Sequence, residues 1–139
     1  EILGNDHTAF TLSLHGVKNF PLRKSPSDLD VDLDDGTTDE QYMTALHKAL
    51  QQLGSAQPFD LAIFLAGADP YEHDRLGRLN VSKKGLAERD RTVMKWCRDR
   101  NIPLAIAMAG GYAPDVKDIV SIHGMTVQLA SMHARQTKH

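Results

Sequence analysis

Asp69 and Tyr112 are the residues whose type and surroundings could do chemistry. Asp69 stands in Gly67-Ala68-Asp69-Pro70 and Tyr112 in Ala109-Gly110-Gly111-Tyr112, each loop directly following a short apolar run. The segment Gly67 to Gly77 places Asp69, Glu72, His73 and Asp74 within six residues. Carboxylate and imidazole ligands suit divalent cations, and an adjacent ion shifts the pKa of every group near it. The competing reading is a solvated turn in which Asp74 pairs with Arg75 or Arg78. A zinc held by one ligand from this segment needs partners elsewhere, because three ligands cannot be gathered here without strain. Tyr112 also has two readings. Its hydroxyl can donate to a developing oxyanion, a role in which losing one donor costs about 100-fold to 1000-fold in rate. Alternatively it caps the core beside a phosphate-type glycine turn. Gly110 and Gly111 suit a backbone that takes φ > 0 or lies close to a ligand. They lack both the full dinucleotide fingerprint and the Lys-Ser/Thr of a P-loop.

Other polar residues carry weaker signals. His15 ends the run Ser13-Leu14-His15-Gly16 and reads as a structural group rather than a ligand or base. His47 falls on the outer side of a helix, and His73, His123, His133 and His139 have no ligand-like pairing. The alternating acidic run from Asp28 to Gly36 imitates a calcium loop. An EF-hand begun at Asp30 needs Gly at its sixth position and Glu at its twelfth, where Asp35 and Gln41 stand. Cys97 lies on an apolar helix face without a His partner and reads as a structural thiol. Asn80-Val81-Ser82 is a glycosylation sequon by pattern only.

Three apolar runs must position these groups. Thr8 to Leu14, Phe59 to Leu65 and Ile102 to Met108 read as strands, the last two near-continuously apolar and so buried on both faces. Asp28 to Gly36 alternates strictly and reads as an edge segment with Leu29, Val31 and Leu33 turned inward. Thr38-Asp39-Glu40-Gln41 is a capping box. Tyr42, Ala45, Leu46, Ala49, Leu50 and Leu53 then make one helical stripe, with Gly54 just past its end. A second helix opens with Ser82 as N-cap, turning Leu86, Val93, Met94 and Cys97 inward and Arg89, Asp90, Arg91, Arg98 and Asp99 to or near solvent. A third begins near Pro114 and runs through Val116, Ile119, Val120, Val127 and Leu129, leaving a frayed tail from Ala134 to His139. Strand, edge segment, helix, strand, helix, strand, helix implies right-handed βαβ crossovers and one parallel sheet. Open α/β sheets bind ligands beyond the carboxyl ends of their strands, so His15, Asp69 and Tyr112 are expected at one edge.

The 139 residues fit one domain, residues 1–139, with a core of ordinary size. A net charge of −2 gives no basic footprint for nucleic acid. A single cysteine excludes an internal disulfide, and no apolar stretch reaches the roughly 20 residues of a membrane span, so a cytoplasmic setting is expected. The chain opens Glu-Ile-Leu-Gly without an initiator Met, which points to numbering that starts inside a longer protein.

Taken in order, Thr11-Leu12-Ser13-Leu14-His15-Gly16, Asp34-Asp35-Gly36, Gly67-Ala68-Asp69, Asp74-Arg75-Leu76-Gly77 and Gly110-Gly111-Tyr112 resemble the carboxyl-terminal half of the zinc-dependent histone deacetylase and acetoin-utilisation superfamily. Gly85-Leu86 and Arg89-Asp90 lean toward its bacterial and class IV-like branches. The resemblance implies an α/β, parallel-sheet, three-layer arginase-like fold of which only the carboxyl-terminal half is present. It implies a zinc ligand at Asp69, an oxyanion-stabilising tyrosine at Tyr112, and substrate contact at Gly110 and Gly111. Ser13 and Leu14 match positions that bind a structural potassium ion through a hydroxyl and a carbonyl. The implied activity is removal of an acetyl or acyl group from an N-acyl amine, such as acetyl-lysine on a protein or an acetylated polyamine. The family's tandem histidines and Asp-x-His pair do not occur in these residues, so this segment alone is expected to be inactive, while the longer parent is a hydrolase. The alternative is a non-catalytic α/β binding or assembly domain that keeps the scaffold. A parallel sheet cut in half leaves an open edge, so the partner is either the missing amino-terminal half or a second copy.

Overall fold

Short runs of Leu, Ile, Val, Phe and Ala make the strands, and longer amphipathic stretches make the helices. The computed structural model describes residues 3, 6–20, 23–56 and 58–136. Their order is β1 (Leu12–Gly16), β2 (Leu29–Leu33), α1 (Asp39–Ala56), β3 (Ala62–Gly67), α2 (Lys83–Asp99), β4 (Leu104–Ala109) and α3 (Val116–Gln136). The expected element order is therefore present, with shifted bounds. β1 starts at Leu12 rather than Thr8, and β3 and β4 extend to Gly67 and Ala109. Residues 137–139 of the expected frayed tail lie outside the described residues, whereas Ala134 to Gln136 are helical.

The helix starts follow from capping. At α1 the Gln41 side chain accepts from the Thr38 N–H at 3.0 Å, the reach-back half of the capping box. Gly54 does not end α1, which continues to Ala56, while Tyr42, Leu46, Ala49 and Leu50 are buried. Ser82 caps α2, its hydroxyl accepting from Gly85 N–H at 3.0 Å. Asp39, in the first turn of α1, accepts from the Ser82 N–H at 2.7 Å and the Ser82 hydroxyl at 2.6 Å. A side chain at Gly85 would overlap that Asp39 carboxylate, so glycine allows the two helix starts to meet. Pro114 precedes α3, whose first turn is capped by Asp115 accepting from Lys117 N–H at 2.9 Å.

The pairing is parallel, as expected, but the described strands form two sheets: β1 beside β2 and β3 beside β4. The stretch from Pro70 to Val81 joins them. Gly36 N–H donates to Arg78 C=O at 2.7 Å, Asn80 N–H to Thr37 C=O at 2.9 Å, and Val81 N–H to Pro70 C=O at 3.1 Å. Leu33, Tyr42, Ala68, Tyr71, Leu79, Val81, Leu86, Ala113 and Ile122 form one core across this junction. Ala87, Met94 and Leu129 form a second, packed with Leu104 and Ile106.

Burial on both faces of β3 and β4 is not found. Ile106 packs against Ala87, Met94 and Leu129 of α2 and α3, with its strand partner Phe64 against Arg89 of α2, while Ile63 and Leu65, at 68% and 65% exposure, stand on the opposite face with Ala105 and Ala107. A continuous apolar run specifies cover on two sides. These residues supply cover on one.

Candidate active site

Parallel strands carry their carboxyl ends to one place. Gly67 pairs with Ala109 at the ends of β3 and β4, and Ala68 N–H donates to Ala109 C=O at 3.1 Å, so the loops bearing Asp69 and Tyr112 leave the sheet side by side. The glycines make room for the carboxylate. A Cβ added at Gly110 would lie 2.5 Å from Asp69 Oδ1, and one at Gly67 would also overlap that oxygen. Gly110 and Gly111 adopt φ of 50° and 117°, where other residues are strained. A side chain at Gly111 would meet Ala68 and Ile119 at 2.9 Å. The structure thus brings Asp69, Gly110, Gly111 and Tyr112 into one loop pair. Burial pushes the Asp69 carboxyl above its ordinary pKa, the Asp74 charge adds to that rise, and the Arg89 charge opposes it.

The turn after Asp69 grips Tyr112 by its backbone. Asp74 Oδ1 accepts from Leu76 N–H at 2.9 Å and Gly77 N–H at 2.7 Å, while Asp74 Oδ2 accepts from Tyr112 N–H. Arg75 Nε donates to Tyr112 C=O at 3.2 Å. The pairing of Asp74 with Arg75 or Arg78 is not formed; Arg78 reaches Asp35 at 3.2 Å instead. The Tyr112 side chain itself is exposed.

Arg89 and Asp90 are the largest departure from expectation. Instead of facing solvent they are buried, at 3% and 2% side-chain exposure, with Arg89 Nη2 at 2.8 Å from Asp90 Oδ1. Arg89 Nε donates to the same oxygen at 2.9 Å, and Asp90 Oδ2 accepts from Thr126 Oγ1 at 2.6 Å. Arg89 Nη1 donates to Gly67 C=O at 2.7 Å, which anchors the strand end from which Asp69 departs. Arg89 also lies against the Phe64 ring, 5.5 Å from its centre. An adjacent Arg-Asp pair on a helix carries no sequence signal that distinguishes it from a solvated one; the partners that bury it are supplied by β3 and α3.

His15 does not join this cluster. Its Nε2 lies 2.9 Å from Asp32 Oδ1 and its Nδ1 2.8 Å from Ser13 Oγ, contacts that hold it within the β1–β2 sheet. Leu14 packs on the core beside Val31. Cys97 is buried, and desolvation pushes its thiol pKa up, in line with a structural role. A hollow of about 650 Å³ between β2 and α1 is lined by Asp30, Asp32 and Lys48 and shares no residue with the Asp69–Tyr112 pair. Among the described residues no three His, Cys, Asp or Glu side chains converge as a metal-binding group. Asp69 fits a metal as one ligand, with a carboxylate oxygen lodged between two glycines, but a tetrahedral zinc needs two further protein ligands.

Parallel βαβ order, a carboxylate and a tyrosine at adjoining strand ends, and a glycine turn between them define a deacetylase-type α/β domain. The chain belongs to the histone deacetylase domain family, which residues 1–127 match. It is 39% identical over 124 residues to an uncharacterised protein of Picosynechococcus, covering 89% of this chain and 41% of that protein. It is 32% identical over 113 residues to histone deacetylase 2 of Arabidopsis thaliana, covering 79% of this chain and 29% of that one. The HDA15 HD domain superposes with a TM-score of 0.72 at 21% identity over 99% of this chain and 43% of its own. Acetylpolyamine aminohydrolase from Burkholderia pseudomallei gives 0.65 at 20% identity, over 86% of this chain and 38% of its own. These two likenesses establish the fold. The chain spans less than half the length of the relatives it matches.

Proposed function

We propose that the protein carrying this chain is a zinc-dependent deacylase that hydrolyses the amide of an N-acyl amine. The observation that carries this is the placement of Asp69 beside Gly110 in adjoining loops of a deacetylase-family fold, with Tyr112 two residues on. Zinc, when bound, would supply Lewis-acid polarisation of the acyl carbonyl and lower the pKa of a water so that, on losing a proton, it can attack. Asp69 serves as one of its ligands. The Tyr112 hydroxyl donates to the carbonyl oxygen and strengthens that bond as negative charge develops there. Gly110 and Gly111, without side chains, let the acyl group come close to the backbone. The tandem histidines that the family resemblance implies for proton transfer do not occur in this sequence, so the chain alone is expected to be inactive. Support for an acetylated substrate comes from the names of its relatives, which include histone deacetylases and an acetylpolyamine aminohydrolase.

Ser13 and Leu14 are proposed to hold a structural potassium ion. With His15 Nε2–H directed at Asp32 Oδ1 at 2.9 Å, the tautomer that leaves Nδ1 an acceptor lets the Ser13 hydroxyl donate across its 2.8 Å contact and keep its lone pairs for a cation. Further proposals are a cytoplasmic setting and a partner on the open side of the sheet, either the rest of the domain or a second copy. A non-catalytic scaffold that keeps the family fold is the second reading. Reading the coding sequence upstream of the Glu1 codon separates the two. Tandem histidines followed by Asp-x-His support the enzyme, and a start codon close to Glu1 contradicts it.

A further inference from the structure

We infer that Asp74 is a positioning residue for Tyr112, a clamp that fixes the candidate oxyanion donor relative to Asp69. This rests on the deacylase reading of Tyr112. Asp74 uses its two carboxylate oxygens for different tasks. Oδ1 closes its own turn by accepting from Leu76 N–H at 2.9 Å and Gly77 N–H at 2.7 Å. Oδ2 reaches out of the turn to accept the Tyr112 N–H. Arg75, next in sequence, completes the grip by donating through Nε to Tyr112 C=O at 3.2 Å and through its backbone N–H at 3.4 Å. Both backbone polar groups of Tyr112 are thereby bound to one turn.

The same turn is pressed onto Asp69. A side chain at Gly77 would overlap the Asp69 carbonyl oxygen and stand 3.3 Å from Asp74, so the turn sits against Asp69 only because residue 77 is glycine. Asp69 and Tyr112 therefore share one brace. Tyr112 needs such a brace, because it follows two glycines in left-handed backbone conformations, the positions with the most freedom to lose. Charge-assisted hydrogen bonds to a carboxylate are about twice as strong as neutral ones, which suits Asp over Asn at this place. An amide offers a single acceptor oxygen and cannot serve both the turn and Tyr112.

The test uses the full-length protein in wild-type, D74A, Y112F and D74A/Y112F forms, with an acetyl-lysine peptide and an acetylated polyamine as substrates. Displacing a reacting group by about 1 Å costs on the order of 100-fold. D74A is therefore expected to lower kcat about 100-fold while KM stays within about two-fold. In the Y112F background the same change is expected to cost less than about three-fold, because residues that act through one another are not additive. Amide hydrogen exchange adds a readout independent of activity. Exchange in the peptide containing Tyr112 rises about ten-fold or more in D74A, while that in α1 is unchanged. If D74A does not fold, D74N replaces it; cutting either side of the clamp predicts the same losses. Additive losses of kcat, or unchanged exchange at Tyr112, overturn the clamp. A wild-type protein inactive on both substrates, with exchange at Tyr112 still dependent on Asp74, overturns the deacylase reading instead.

Discussion

Replacing Asp90 with alanine removes one half of a buried ion pair and leaves the other half without an anion. Arg89, 3% exposed, would lose contacts at 2.8 and 2.9 Å and keep its bond to Gly67 C=O at 2.7 Å. Thr126 would lose its bond to Asp90 at 2.6 Å but retain that to Ile122 C=O at 3.2 Å, so its share is small. Removing one partner of a buried pair typically costs about 3–5 kcal/mol, chiefly the desolvation of the charge left behind. Each kcal/mol shifts the melting temperature of a domain of this size by roughly 3–6 °C, so D90A is expected to melt about 9–30 °C below wild type. Thermal and urea unfolding followed by far-UV circular dichroism measures this. An apolar pair of similar volume, R89M/D90L, is expected to recover stability to within about 1 kcal/mol of wild type, since apolar replacement of a buried pair is often neutral. A D90A variant within about 1 kcal/mol of wild type would refute the assignment of the pair as buried and mutually dependent.

Three further perturbations probe other parts of the structure. Gly110→Ala adds a Cβ 2.5 Å from Asp69 Oδ1 at a φ of 50°, so zinc affinity and deacylase rate of the full-length protein both fall, while the left-handed backbone costs about 1–2 kcal/mol. Metal titration and acetate release check it, and unchanged affinity would contradict the cradle. The Lys83 ammonium 2.6 Å from Asp118 holds its carboxyl below the ordinary range. A carboxyl lowered in the folded state stabilises above its unfolded pKa, near about 4, and loses that contribution as pH falls through the folded value. The stability difference between wild type and D118N should therefore be largest at neutral pH and shrink below about pH 4, as read from melting curves across pH. Ile63→Ser with Leu65→Ser alters the bare face of β3, so the isolated chain should self-associate less in light scattering, whereas the full-length protein should melt lower. Equal scattering by both forms would show that this face is not the contact.

Local signals were legible in the residues and long-range ones were not. Ser82 caps α2 because a hydroxyl three residues before Gly85 is all that the start of that helix requires. The stripe of Tyr42, Leu46, Ala49 and Leu50 is a property of α1 alone. The nearness of the Asp69 and Tyr112 loops was legible because each follows a strand directly, and parallel pairing of Gly67 with Ala109 brings those loops together. Arg89 and Asp90 could not be read as buried, because their environment is made by Gly67 and Thr126, 22 and 36 residues away. Asp74 was visible as a carboxylate but not as a clamp, since its partner is the Tyr112 N–H, 38 residues away. His15 is expected beside Asp69, yet its cross-strand partner Asp32 and its β1 neighbour Ser13 hold it in another sheet. The apolar run of β3 asks for cover on two faces and receives it on one. That mismatch between pattern and packing leaves one face of β3 bare.

The most direct measurement is acetate release from an acetyl-lysine peptide and an acetylated polyamine by the full-length protein, compared with D69N and Y112F and repeated after chelation and zinc restoration. Zinc-dependent release that D69N abolishes and Y112F lowers about 100-fold to 1000-fold, the cost of one oxyanion donor, is the expected result. Release by D69N and Y112F at the wild-type rate would contradict it.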